Sequence, residues 1–208
     1  TVSDELSLLN IGDTEALNIK IHTPNFHEEI KKLDDQWVDY LPRPDRTNNR
    51  QGLALYNLPG FTHQQNPSLR EASKEAGRRL SEVEFNQPTE IVEKLPCLHP
   101  ILNMFDTLGR TFLVKCNIGG YFPPHRDLPV YVEQQNSLRV LIPLKGCNPP
   151  DMYFMYEDKP LHFEHGRAYY VNTRMTHRTI SWVKESDHMI MNIPMTTENV
   201  EKVISNVR

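Results

Sequence analysis

The sequence predicts a mainly β domain of the sandwich, jelly-roll or barrel type, preceded by helices. Three observations predict it. From Arg110 onward, seven apolar, β-prone runs follow at short intervals, broken by Gly, Pro or Asn, and Leu53–Leu58 adds one more. Sixteen prolines against nine glycines are scattered singly or in pairs, which fits many short, sharply ended elements. Before Arg110 the apolar residues recur mostly at helical spacing. A chain of 208 residues is long enough for one substantial core and short for two, and it contains no internal repeat. One domain over 1–208 is expected, with 1–109 as mostly helical support carrying an early strand and 110–195 as the β core.

Leu17–Ile21 alternates and reads as an edge strand in an otherwise weak segment. Phe26, Ile30, Leu33 and Trp37 share one face of a helix over Phe26–Val38, with Trp37 as its anchor and Pro42 and Pro44 as its stop. Arg43–Gln51 is polar and basic, a loop. Ser68-Leu-Arg-Glu71 is a capping box, opening a helix to about Phe85. Shorter helical patches cover Thr89–Lys94 and Leu98–Phe105. The β runs are Arg110–Ile118, Ser137–Leu144, Asp151–Glu157, Leu161–Phe163, Gly166–Asn172, Thr176–Val183 and His188–Met195. In Ser137–Leu144, Leu138, Val140, Ile142 and Leu144 form a wholly apolar face, while Arg139 lies on the other. In His188–Met195, Met189, Met191 and Ile193 oppose His188, Ile190 and Asn192. The apolar faces belong under helices, and the faces with Arg139, His188 and Asn192 suit a cavity. A charge in so apolar a strand needs a partner, and an anionic ligand supplies one.

Composition excludes several classes. Hydrophobic residues are 38% and charged residues 24%, an ordinary globular balance. Net charge is −4 with a pI of about 6.1, so nucleic acid is not an expected partner. Cys97, Cys116 and Cys147 are odd in number and show no C-x-x-C spacing, which argues against a disulfide framework and for a reducing, cytoplasmic setting. There is no apolar run of membrane-spanning length and no basic–apolar leader pattern. Oligomeric state is not legible.

The chemistry is concentrated in Tyr121-Phe-Pro-Pro-His-Arg-Asp-Leu-Pro129. His125 and Asp127 flank one residue after a Gly119-Gly120 break, and His177 stands on a later β run. Two imidazoles and a carboxylate with further positions open form the facial set of non-haem Fe(II) oxygenases. His-x-Asp alone is a weak signal in a chain with nine histidines; the strand context strengthens it. Tyr121, Arg126, Arg174, Arg178 and Trp182 stand near these residues in sequence. Arg174 and Arg178 hint at a carboxylate-bearing substrate.

Over roughly Arg110–Met195 the chain resembles the Fe(II)- and 2-oxoglutarate-dependent oxygenases, nearest to the aspartyl/asparaginyl β-hydroxylase-like branch with its free-proline hydroxylases. The likeness rests on Pro124-His-Arg-Asp127, Leu138-Arg-Val-Leu-Ile-Pro143, Gly166-Arg-Ala-Tyr-Tyr-Val-Asn172 and His177. It implies a double-stranded β-helix (a cupin-like jelly roll) and His125, Asp127 and His177 as catalytic iron ligands. It implies Arg139 as a contact of the 2-oxoglutarate carboxylate. The branch carries another arginine on its last strand; here Glu185-Ser-Asp-His-Met189 has none, and His188 is nearest. His188, Lys115 or Arg139 alone would then hold the oxo acid. The implied activity is a dioxygenase using Fe(II), 2-oxoglutarate and O₂ to hydroxylate a C–H bond of an amino acid or peptidyl residue, releasing succinate and CO₂.

Two other readings stay open: a cupin-like metalloenzyme working without an oxo acid, and a non-catalytic jelly-roll binding module. Zinc hydrolysis fits less well, since no H-E-x-x-H motif is present.

Overall fold

Two antiparallel sheets stack face to face in the computed structural model, which describes residues 1–40, 49–127 and 135–208. The expected stops at Pro42 and Pro44, most of the Arg43–Gln51 loop and the Leu128–Pro129 end of the motif lie outside the described residues. The strands are β1 (Thr14–Lys20), β2 (Val38–Asp39), β3 (Arg50–Asn57), β4 (Gln87–Pro88), β5 (Thr111–Cys116) and β6 (Tyr121–His125). They continue with β7 (Ser137–Lys145), β8 (Met152–Tyr156), β9 (Lys159–Pro160), β10 (Arg167–Val171), β11 (His177–Ser181) and β12 (Ser186–Pro194). The larger sheet runs β1-β10-β7-β12-β5-β3-β2, with β4 beside β3; the smaller runs β6-β11-β8-β9. This is the jelly roll that the sequence predicts.

Strand alternation sets the two faces of the larger sheet. Leu138, Val140, Ile142 and Leu144 of β7 lie in the main core with Met189, Met191 and Ile193 of β12 and Leu113 of β5. Helical residues close this core from outside, among them Phe26, Ile30, Ile101 and Val203. The other face meets the smaller sheet: Leu141, Tyr169 and Val171 pack with Met152, Phe154 and Tyr156. Burial of whole apolar faces on both sides of a sheet is the main favourable term.

The helices are shorter than their periodicity predicts. The helix α2 (Thr23–Lys31) stops before Leu33, and a 3₁₀ turn over Asp34–Gln36 carries the chain to Trp37. Ser68 and Glu71 form the expected capping box of α3 (Leu69–Ala76), but Gly77 ends it in the left-handed region at φ 66°. A second capping box, Ser81 with Glu84, then opens only a 3₁₀ turn. The patch at Thr89–Lys94 is a 3₁₀ turn at Val92–Lys94, and that at Leu98–Phe105 reduces to α4 (His99–Leu102). Leu161–Phe163 is not a strand; the partner of β8 on the side away from β11 is Lys159–Pro160.

Two helices lack a clear sequence signal. Leu6 and Leu9 of α1 (Val2–Ile11) are exposed, so its apolar stripe is weak, but Thr1 and Asp4 cap it reciprocally. It lies against α5 (Thr197–Ser205), whose following residues bond to β1 through Asn206 O and the Arg208 N–H. β1 is the expected edge strand. All three cysteines are free. Among the described residues no helix is long and apolar enough to cross a membrane.

Candidate metal centre

The centre forms where β6 and β11 pair at the edge of the smaller sheet. Gly119 and Gly120 make the turn into β6. Gly119 sits at φ 83°, and a Cβ on Gly120 would lie 2.6 Å from Asn49 O. His125 stands directly opposite His177, and the register shifts between His177 and Thr179. Such a shift re-aims side chains locally. Pro123 and Pro124 are tolerated because β6 is an edge strand.

Both imidazoles are oriented by backbone carbonyls. His125 Nδ1 is 2.6 Å from Pro123 O, and His177 Nδ1 is 2.9 Å from Met175 O. With Nδ1 donating, the neutral form of each imidazole carries its lone pair on Nε2, the tautomer a metal requires. The two Nε2 atoms converge on one oxygen: Asp127 Oδ1 lies 3.2 Å from His125 Nε2 and 3.6 Å from His177 Nε2. One ligand atom from each residue fits within a 4.8 Å spread. The Phe154 ring lies parallel to that of His177, with centroids 6.2 Å apart.

The second Asp127 oxygen has a different neighbour. Oδ2 lies 2.9 Å from Nη2 of Arg139, whose Nε donates to Asn192 Oδ1 at 3.1 Å. Asn192 in turn donates to Arg110 O. Burial pushes the Asp127 carboxyl up. Arg139, His125 and His177 outweigh it and hold the group well below the usual carboxylate range. The His125 pKa is raised, mainly by its bond to Asp127. Two nitrogens and one ionised oxygen, with no thiolate, suit a borderline divalent metal such as Fe(II).

The three residues open on a cavity of about 210 Å³ between the sheets, lined also by Arg139, Leu141, Phe112, Phe154, Thr179, His188 and Ile190. His188 is 3% exposed and faces it from β12. Lys115 is not brought there, which corrects the expectation that it faces an oxo acid. It shares the Leu113 face of β5, and its ammonium lies 4.5 Å from the centroid of the Trp37 ring and 3.7 Å from Asp34 Oδ1. The opposite face of β5 carries the even-numbered positions: Phe112, which lines the cavity, and Val114 and Cys116, which pack with it.

The other neighbours in sequence divide. Arg178 lines the cavity, and also a groove on the outer face with Tyr121 and Trp182. Arg126 donates to Thr176 Oγ1, and Arg174 is 3.4 Å from Glu5 of α1. Sequence reasoning missed Arg110, Tyr40, Glu82 and Thr179 as cavity residues. Arg110 is buried, donates to Pro67 O and lies over Phe112 at 4.7 Å. Thr179 was legible, since strand alternation puts it on the face of His177.

No protein-family model and no curated protein sequence matches the chain. Solved structures similar to it include the viral collagen prolyl hydroxylase of Paramecium bursaria Chlorella virus-1, at 10% identity and TM-score 0.49, over 88% of this chain and 96% of that one. A Pseudomonas putida prolyl-4-hydroxylase is similar at 8% identity and TM-score 0.46, over 88% and 91%. The DMSP lyase DddQ from Ruegeria pomeroyi DSS-3 is similar at 16% identity and TM-score 0.30; that likeness spans 40% of this chain and 37% of the lyase.

Proposed function

We propose that this chain is an Fe(II)- and 2-oxoglutarate-dependent dioxygenase that hydroxylates a C–H bond of an amino acid or peptidyl residue. One observation carries the reading: two carbonyl-oriented Nε2 atoms and one ionised carboxylate oxygen converge at the mouth of a cavity that also presents Arg139. Bound there, Fe(II) with the oxo acid supplies the activation of O₂, with succinate and CO₂ as coproducts.

The chain's own residues do the rest. His125, Asp127 and His177 would hold the metal beside the cavity. Arg139 fixes the Asp127 carboxylate through Oδ2 and keeps further N–H donors for an anionic ligand. His188 faces the same space and completes the oxo acid contacts. Phe112, Leu141, Phe154 and Ile190 exclude water from the reacting centre. Arg178 supplies a charge for a substrate carboxylate at the opening.

The test is turnover. Protein reconstituted with Fe(II) is incubated with 2-oxoglutarate, O₂ and a panel of amino acids and short peptides. The reading expects succinate formation to rise with one of them, matched by a product carrying one added oxygen atom. Metal-dependent consumption of a panel member without any succinate contradicts it.

A further inference from the structure

We propose that the cavity floor is a proton-linked carboxylate seat, in which His188 and Thr179 receive the far carboxylate of the oxo acid and His188 gains a proton as it binds. The inference rests on the oxygenase reading and adds to it the means and the proton balance of oxo acid binding.

Two observations carry it. His188 and Thr179 are 3% and 5% exposed and reach the same cavity from opposite sheets, β12 and β11. His188 Nδ1 and Thr179 Oγ1 are both buried without a hydrogen-bond partner. Buried polar atoms are nearly always satisfied, so two orphans lining one cavity mark the place of a polar ligand group. A carboxylate accepts from both, one oxygen for each.

The charges around His188 set the sign of that group. Arg139 on β7 and Arg50 on β3 both act on it. Its paired neighbours, Val114 on β5 and Pro143 on β7, are uncharged, as is Thr179 across the cavity. Asp187, next along β12, is acted on instead by Lys115 and Lys145. Burial, reinforced by the two arginines, pushes the His188 pKa down to about 4, so the imidazole is neutral at pH 7 before a ligand arrives. A carboxylate in the seat supplies the opposite charge and an acceptor, and both favour the imidazolium. Binding then draws one proton from solvent, and affinity falls as pH rises.

The test is calorimetry of 2-oxoglutarate binding to the Mn(II)-loaded protein at pH 7, in two buffers of different ionisation enthalpy. Roughly one proton taken up per oxo acid is expected, with affinity weakening by up to about tenfold per pH unit through neutral pH and levelling off above the pKa that His188 has in the complex. His188→Gln is expected to abolish the uptake and flatten the pH dependence. Thr179→Val is expected to weaken binding several-fold with the uptake intact. Binding of the oxo acid by the unaltered protein without proton uptake overturns the seat, and this measurement decides even if a variant does not fold. Metal binding with no oxo acid binding at any pH overturns the oxygenase reading itself, a distinct result.

Discussion

Arg139 Nη2 lies 2.9 Å from Asp127 Oδ2, while Asp127 Oδ1 faces both histidines. The carboxylate is divided, one oxygen for the metal and one for the guanidinium that holds it. Arg139 is therefore tied to the metal site as well as to the ligand cavity. Arg139→Gln is expected to weaken Fe(II) binding by about 10- to 100-fold, the usual cost of losing a group that orients a ligand. Competition with a calibrated chelator measures it. Unchanged metal affinity would mean that the pair does not position Asp127.

Asp127→Ala is expected to abolish iron binding and leave the fold intact. The residue contributes no side chain to the apolar core, and its carboxylate contacts His125, His177 and Arg139. Far-ultraviolet circular dichroism together with iron content by mass spectrometry checks both halves. Full iron occupancy in the variant would remove the assignment.

Asp187 gives a pH-dependent stability effect remote from the metal. It is 6% exposed, its Oδ1 has no hydrogen-bond partner, and burial raises its pKa to about 6 despite Lys115 and Lys145. In the unfolded chain the carboxyl ionises in the ordinary range. Between about pH 4 and 6 the folded state therefore holds a proton that the unfolded state has released, and stability from this group falls as pH rises. Asp187→Asn is expected to be near neutral at pH 4 and stabilising by about 1–3 kcal/mol at pH 7.5. Urea titrations at the two pH values test this; a difference independent of pH would contradict the raised pKa.

Neighbouring residues of β7 test the division of the sheet faces. Ile142 is fully buried in the main core, whereas Leu141 lines the cavity. Ile142→Ala is expected to cost about 2–5 kcal/mol. Leu141→Ala, with open space on one side, is expected to cost less and to alter ligand affinity. Chemical denaturation of both variants decides; equal losses with unchanged ligand affinity would contradict the assigned faces.

What the sequence made legible follows from the strength of each period. The faces of β7 and β12 were plain because apolar residues occupy every second position over a whole strand. The same rule, applied to β5, puts Lys115 with Leu113 and away from the cavity, and applied to β11 puts Thr179 beside His177. β6 was not legible as a strand, since Pro123 and Pro124 lack ladder donors and only its edge position accommodates them. The helices were read too long because apolar spacing continues through Leu80 and Val83 after Gly77 has turned the chain. Arg110, Tyr40 and Glu82 reach the cavity from segments far apart in sequence, with no local pattern to join them.

The most direct measurement is an anaerobic titration of the Fe(II)-loaded protein with 2-oxoglutarate, followed by visible absorption. The account predicts a weak charge-transfer band that grows and saturates with the oxo acid and is absent in Asp127→Ala. Iron that binds stoichiometrically yet gives no band at any oxo acid concentration would contradict it.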